Sequence, residues 1–250
     1  MATQPPWASG PGELLKHGLE LLKKNTETSR RLAMISIDNA VELMSKTYLG
    51  LPQRVTGLKI ARSEYQEFSE SFPKLLDALE KHARDKLDGI ELGEIEWYHR
   101  LRNQLYHQGN GLTVEKDKVE IYAELANILF ANLFGFRLVE PEEDSTVILG
   151  NFIQAWVDFE KTLADAASRL KVDTRGRPVM SLQVVQVLAY EGLVSRAEVE
   201  EINQIRKIRN EVVHGVTSYK DTLQPEMAKR LTSITNELQN RLQSWRQSTS

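Results

Sequence analysis

Apolar residues recur at helical spacing through nearly the whole chain. Leu14, Leu15, Leu19, Leu21 and Leu22 open an amphipathic segment. Leu32, Ile35, Ile37, Ala40, Val41, Met44 and Leu49 continue as a second helix, which Leu51-Pro52 ends because proline cannot continue the hydrogen-bond ladder. Residues 53–71 are polar and mixed, a loop with a short helix. Phe72-Pro73 begins another helix, with proline in its first turn, Leu75, Leu76, Leu79 and Leu87 on its apolar side, and Asp88-Gly89 breaking it. A helix follows from about Gly93 to Gln108, stopped by Gly109-Asn110-Gly111. Thr113 reads as the N-cap of the next helix, with Glu115 and Asp117 in its first turn and Ile121, Leu125, Ile128, Leu129 and Leu133 carrying it to Gly135.

The stretch Val139-Glu140-Pro141-Glu142-Glu143-Asp144-Ser145 is acidic, polar and broken by proline, so it marks a domain boundary. Beyond it the order of elements recurs. A long helix runs from about Val147 to Leu170 and a basic turn spans Asp173 to Pro178. A shorter helix carries Leu182, Val185 and Leu188; another runs from about Ser195 to His214 and stops at Gly215; a last one runs from Gln224 to Trp245. No strand-like alternation exceeds a few residues, so the expected fold is all-α. The expected organisation is a helical domain over 13–138, a linker over 139–146 and a second helical domain over 147–250. The Pro/Gly-rich residues 1–12 read as a flexible lead-in without the order of a signal peptide.

Composition narrows the partners. Hydrophobic residues make up 41 % and charged residues 27 %, the balance of a soluble globular protein. The chain has no cysteine, which excludes disulfides and thiolate metal sites and fits the cytoplasm. No apolar run approaches the roughly 20 residues that span a bilayer, so no membrane partner is expected. The net charge of −3 argues against a protein that coats nucleic acid, so any RNA contact must be local.

One pattern occurs twice: Arg102-Asn103-Gln104-Leu105-Tyr106-His107 and Arg209-Asn210-Glu211-Val212-Val213-His214. Around it Glu94-Ile95 matches Glu201-Ile202, and Arg100-Leu101 matches Lys207-Ile208. At about 100° per residue, Asn103 and His107 share a helix face that His99 and Arg100 extend, with Arg102 beside it. Arg206, Lys207, Asn210 and His214 repeat the stripe, with Arg209 alongside. Leu101, Leu105, Ile208 and Val212 face elsewhere and hold each helix to its core. Imidazole exchanges protons near neutral pH, guanidinium forks onto phosphate, and asparagine orients either group. RNA cleavage needs a base for the 2′-hydroxyl, an acid for the leaving oxygen and positive charge on the phosphate. One stripe supplies half of that; two facing stripes would supply all of it.

The repeated Arg-Asn-x3-His resembles the Arg-polar-x3-His signature of HEPN domains, all-α units of four to five helices. The earlier segments Ile37-Asp38-Asn39-Ala40-Val41-Glu42-Leu43 and, more weakly, Phe159-Glu160-Lys161 are also similar to a family helix. The resemblance spans about Glu13 to Trp245. It implies two HEPN units forming an intramolecular pseudo-dimer, a metal-independent endoribonuclease without cofactor, and a setting in toxin–antitoxin or antiviral defence with an antitoxin or regulatory protein, or a second copy in a homodimer, as partner. By that resemblance Arg102, His107, Arg209 and His214 would be catalytic, Asn103 and Asn210 orienting, and His99, Arg100, Arg206 and Lys207 candidates for guiding the RNA backbone. The tyrosine found two residues past the histidine in toxins paired with nucleotidyltransferase antitoxins is replaced by Gly109 and Val216. The family also contains members that only bind, so a non-catalytic module for RNA, a nucleotide or a partner protein stands as the alternative. A helical subunit of a larger complex is a third reading.

Other residues carry plainer expectations. His99 and Arg206 read as solvated flanks rather than catalysts, though they could guide the RNA backbone. Glu42 and Glu160 are equally candidates to orient the motif arginines and ordinary surface carboxylates. His17 and His82 read as isolated surface residues, Arg175-Gly176-Arg177 as a solvated basic turn, and Trp97, Trp156 and Trp245 as packing. No His/Asp spacing suits a metal, and no Gly-rich loop follows a strand to hold a nucleotide phosphate.

Overall fold

The computed structural model describes residues 5–107, 113–138, 144–170, 172 and 181–248, except for the side chains of residues 107, 144–146, 181, 182 and 246–248. The ordered elements among the described residues are all helices, with no strand. The chain forms two compact units, Met1–Pro141 and Glu142–Ser250.

In the first unit a 3-10 turn, Pro6–Ala8, leads into α1 (Ser9–Lys24), followed by α2 (Glu27–Gly50), α3 (Gln53–Thr56), α4 (Arg62–Ser69) and α5 (Phe72–His82). A second 3-10 turn, Arg84–Lys86, precedes α6 (Leu92–His107) and α7 (Lys116–Phe134). The central element is α2, which packs on α1, α5, α6 and α7. Its start is fixed by sequence. Asn25 takes a left-handed φ of 52°, and Thr26 and Ser29 form a reciprocal capping box. The α1–α2 crossing depends on Gly18, where a Cβ would lie 2.7 Å from Ile37 Cγ1. The buried stripe of α2 reads Met34, Ile37, Asp38, Val41, Met44, Ser45 and Tyr48. One carboxylate therefore sits in an otherwise apolar and small-residue seam.

The second unit contains α8 (Asp144–Arg169), α9 (Ser181–Tyr190), α10 (Arg196–Val213), α11 (Tyr219–Thr222) and α12 (Pro225–Ser248). Here α8 and α12 pack along each other, burying Phe152, Trp156, Phe159 and Leu163 on one side and Leu231, Ile234, Leu238 and Leu242 on the other. Helix α10 packs on α9, α11 and α12. Ser195 and Glu198 form its capping box, and Gly215 at φ +62° follows its C-cap, a conformation that side chains resist. In each unit the motif helix follows a shorter helix and precedes the last long one, which packs against the unit's other long helix.

Several expected boundaries shift for local reasons. From Pro6 onward the lead-in is helical: Ala8, Pro11 and Gly12 are buried, and α1 starts at Ser9. Two short helices occupy the mixed segment after Pro52. Helix α5 ends at His82, because Ala83 leaves helical geometry, so Leu87 lies beyond it. The cap of α7 is Glu115 rather than Thr113. Val114 before that cap and Val119 at the fourth helical position are both buried, the arrangement of a hydrophobic staple, and this sets the entry more strongly than a threonine hydroxyl. Helix α8 begins at Asp144, within the expected linker, and α11 is an additional turn.

Candidate functional site

The first motif helix is built around Asp38. That residue is fully buried, and its carboxylate gathers donors from two further helices. From α6, His99 Nδ1 lies 2.9 Å from Oδ2 and 3.2 Å from Oδ1. From α7, the Tyr122 hydroxyl donates to Oδ1 at 2.8 Å. Arg102 Nε forms an ion pair with Oδ2 at 3.3 Å. A buried carboxylate is costly unless charge and hydrogen bonds offset its desolvation, and these three groups do so. Burial raises the Tyr122 pKa well above its usual value and the Asp38 charge raises it further, so the phenol stays a donor. An ionised carboxylate only accepts, so His99 carries a proton on Nδ1.

Stacking holds these groups in place. The Phe72 ring lies on the His99 ring with centroids 3.8 Å apart and planes 8° from parallel. Tyr98 stacks on Tyr122 at 4.5 Å and 9°. His99 is thus not a solvated flank residue; its side chain is 14 % exposed, with Nδ1 turned inward. The reason is tertiary: α2 brings a charge, and α5 brings an aromatic ring, to a position that helix periodicity leaves at the margin.

Arg102 extends from this cluster to the surface, with 19 % of its side chain exposed. Nη2 donates to Asn39 Oδ1 at 2.7 Å and Nη1 to Asn103 Oδ1 at 2.8 Å. Its Cζ lies 5.4 Å from the Tyr106 ring centroid, within cation–π range. Each terminal nitrogen still has a second N–H beyond those bonds, so the guanidinium is oriented yet retains donors. Asn103 thus lies against Arg102, its amide oxygen accepting from the guanidinium. Leu105 is buried, and Tyr106 is 61 % exposed. The His107 side chain lies outside the described residues. Arg100 is solvent-exposed and paired with Glu96.

The second motif helix has different surroundings. Arg209 is buried, with 1 % of its surface exposed, while Asn210 and His214 are exposed. His214 is the C-cap, its backbone N–H donating to Asn210 O. Val212 and Val213 are both buried. Arg206 is half-buried, and Lys207 is exposed with Glu211 at 3.8 Å. The buried carboxylate on this helix is Glu198 at its N-terminal end. Arg241 Nη1 donates to Glu198 Oε2 at 2.9 Å, and the Ser195 backbone N–H donates to the same oxygen at 2.7 Å. Burial pushes Glu198 up, but the bonds from Arg241 and Ser195 outweigh it and bring its pKa down to about 2.

Of the two carboxylates weighed equally as partners of the motif arginines and as surface groups, Glu42 lies away from Arg102. Glu42 pairs with Lys46 at 2.6 Å, and the neighbours Asp38 and Asn39 bind Arg102 instead. Glu160 is half-buried. His82 is not an isolated surface residue: it is 14 % exposed with Nε2 2.8 Å from Glu64 Oε1. Hydrogen bonds from Lys81, then His82, lower the Glu64 pKa to about 2. His17 is exposed, Trp156 is buried, and Arg175-Gly176-Arg177 lies outside the described residues.

Asp38, Asn39, Phe72 and Tyr122 were not singled out by motif spacing. The signal for Asp38 was present in the sequence: a charge at the same helical phase as Met34, Val41 and Ser45. Among the described residues no group of three or more His, Cys, Asp or Glu side chains is arranged to hold a metal ion. No described helix is long and apolar enough to cross a membrane. Comparison with protein-family models, curated proteins and solved structures found no match for the chain.

Proposed function

We propose that the chain is a tandem HEPN protein that cleaves RNA without a metal, with the two Arg-Asn-x3-His motifs contributing to one composite site. The observation that carries this reading is the anchored guanidinium of Arg102, held by Asp38, Asn39 and Asn103 with donors left for a phosphate. Preorganised positive charge at the phosphate is the costliest element of such a site to build. In this scheme an imidazole takes the 2′-hydroxyl proton, the 2′-oxygen bonds to phosphorus, the bond from phosphorus to the 5′-oxygen breaks, and a second imidazole protonates that oxygen. His107 and His214 share these roles, Arg102 neutralises the phosphate directly and the buried Arg209 adds positive charge from within the helix packing, and Asn103 and Asn210 orient them. The products are a 2′,3′-cyclic phosphate and a free 5′-hydroxyl. DNA, which has no 2′-hydroxyl, is resistant. A cellular defence role, with a protein that restrains the activity, follows from the same resemblance.

The test is cleavage of end-labelled single-stranded RNA by the purified full chain, with and without EDTA. The expected result is EDTA-resistant cleavage that falls by at least about 100-fold in a His107→Ala/His214→Ala protein. Equal cleavage by that protein overturns the mechanism.

The burial of Arg209 favours a second reading, a binding module in which the motif arginines organise the helices and the exposed polar stripe takes a ligand. RNA bound but left intact would select it.

A further inference from the structure

We propose that the Asp38–His99 pair forms a ribose-recognition site in the first unit, with His99 Nε2 accepting the 2′-hydroxyl of a ribonucleotide whose phosphate rests on Arg102. The inference builds on the reading that the Arg102 face takes a ribonucleotide phosphate, and adds a residue which the repeated motif does not contain.

The geometry behind it is local to one carboxylate oxygen. His99 Nδ1 and Arg102 Nε both approach Asp38 Oδ2, at 2.9 and 3.3 Å. An imidazole and a guanidinium are therefore fixed side by side, on residues one helical turn apart, by a group that cannot itself reach solvent. In the neutral tautomer that donates Nδ1–H to Asp38, Nε2 is an acceptor. Phe72 covers one face of the ring and Asp38 takes its inner edge, yet 14 % of the side chain meets solvent. Asp38 also receives the Tyr122 hydroxyl at 2.8 Å and the Arg102 charge, so the imidazole is more than a plug for one unsatisfied carboxylate. In that tautomer an acceptor beside a cationic fork matches a hydroxyl donor adjacent to an anion. In a ribonucleotide the 2′-hydroxyl next to the 3′-phosphate has that arrangement, and a deoxynucleotide lacks the donor.

The second unit offers no such pair at the matching place. The position aligned with His99 is Arg206, and Asp38 has no fully buried acidic equivalent on α8 among the described residues. Discrimination between ribose and deoxyribose would then belong to the first unit alone.

The experiment is an imidazole nitrogen NMR titration of the full chain with uridine 3′-monophosphate, which has the 2′-hydroxyl and phosphate but no bond to cleave. Its 2′-deoxy counterpart is the control. The chain has five histidines, so loss of one signal in His99→Gln assigns the ring. The expected result is a saturable shift of His99 Nε2 with the ribonucleotide, a shift at least about fivefold smaller with the deoxynucleotide, and loss of the response in Arg102→Ala. An Nε2 signal that does not move with the ribonucleotide, or moves equally with both, overturns the site. RNA cleavage by His99→Gln separates this inference from the reading beneath it. If wild type and His99→Gln cut RNA equally and Nε2 is unmoved, the ribose site fails and the ribonuclease stands. If wild type cuts no RNA but Nε2 shifts selectively, the ribonuclease reading fails and the ribose site stands.

Discussion

The two motif helices share a spelling and differ in what surrounds them. In the first, the arginine is an intermediate: Asp38 anchors it from inside the core, and its far end reaches the surface beside Asn103 and Tyr106. In the second, the arginine is wholly inside, and only Asn210 and His214 face out. The carboxylates differ correspondingly. Asp38 comes from a neighbouring helix and serves the motif, whereas Glu198 caps the motif helix itself and ties it to Arg241 on α12. A repeated hexapeptide therefore does not imply repeated chemistry. In a half-site the burial of the guanidinium decides whether it can meet a ligand, and burial is set by helices that the motif does not contain.

The largest expected effect tests the core of the first unit. Asp38→Ala leaves the Arg102 charge without its buried partner and should cost about 3–5 kcal/mol. Hydrogen exchange should show lost protection in α2, α6 and α7 while α8 and α12 keep theirs. Loss spread evenly over both units would break the contrast, since it would mean that the two cores share one stability.

A smaller effect separates the two arginines. Arg209→Ala should cost about 2–3 kcal/mol, because it removes a buried stem and charge, and Arg102→Ala made in an Asp38→Asn background about 1 kcal/mol, because no buried charge is then stranded and that side chain is part-exposed. Denaturant melts of the two variants, read with hydrogen exchange of each unit, decide it. Equal costs would mean that the exposure difference does not measure structural commitment.

The smallest effect concerns pH. The folded pKa of Glu198, about 2, lies below its ordinary value of 4.5. Its contribution is therefore complete above about 4.5 and is lost as pH falls toward 2. Glu198→Gln should cost about 1–2 kcal/mol near neutral pH and flatten the acid-side loss of stability in the second unit. An unchanged acid limb would show that Glu198 does not tie α10 to α12 through its charge.

Much of the fold was legible along the chain, because helix periodicity, proline stops and glycine caps act over a few residues. The α2 terminus before Pro52, the Ser195 start of α10 and its stop at Gly215 follow from such signals. The site was legible in part. Arg102 and Asn103 were chosen from spacing and do meet, through Arg102 Nη1 and Asn103 Oδ1. Glu42 was weighed as the orienting acid because it is a carboxylate on the right helix. Its place four residues past Asp38 keeps it near the same face, yet its carboxylate is part-exposed and pairs with Lys46 one turn further on. His99 was placed with the polar stripe because its own helix suggests nothing else; Phe72 and Asp38, which draw it inward, come from positions 27 and 61 residues away in the chain.

The sequence by itself determined the helices, their caps and the two motifs, since backbone propensity and short-range hydrogen bonds read only near neighbours. It also determined that a charge would lie on the buried seam of α2. Which groups would meet that charge was decided by tertiary structure alone. Only packing brings α2, α5, α6 and α7 together, and only there does desolvation make Asp38 collect an imidazole, a phenol and a guanidinium.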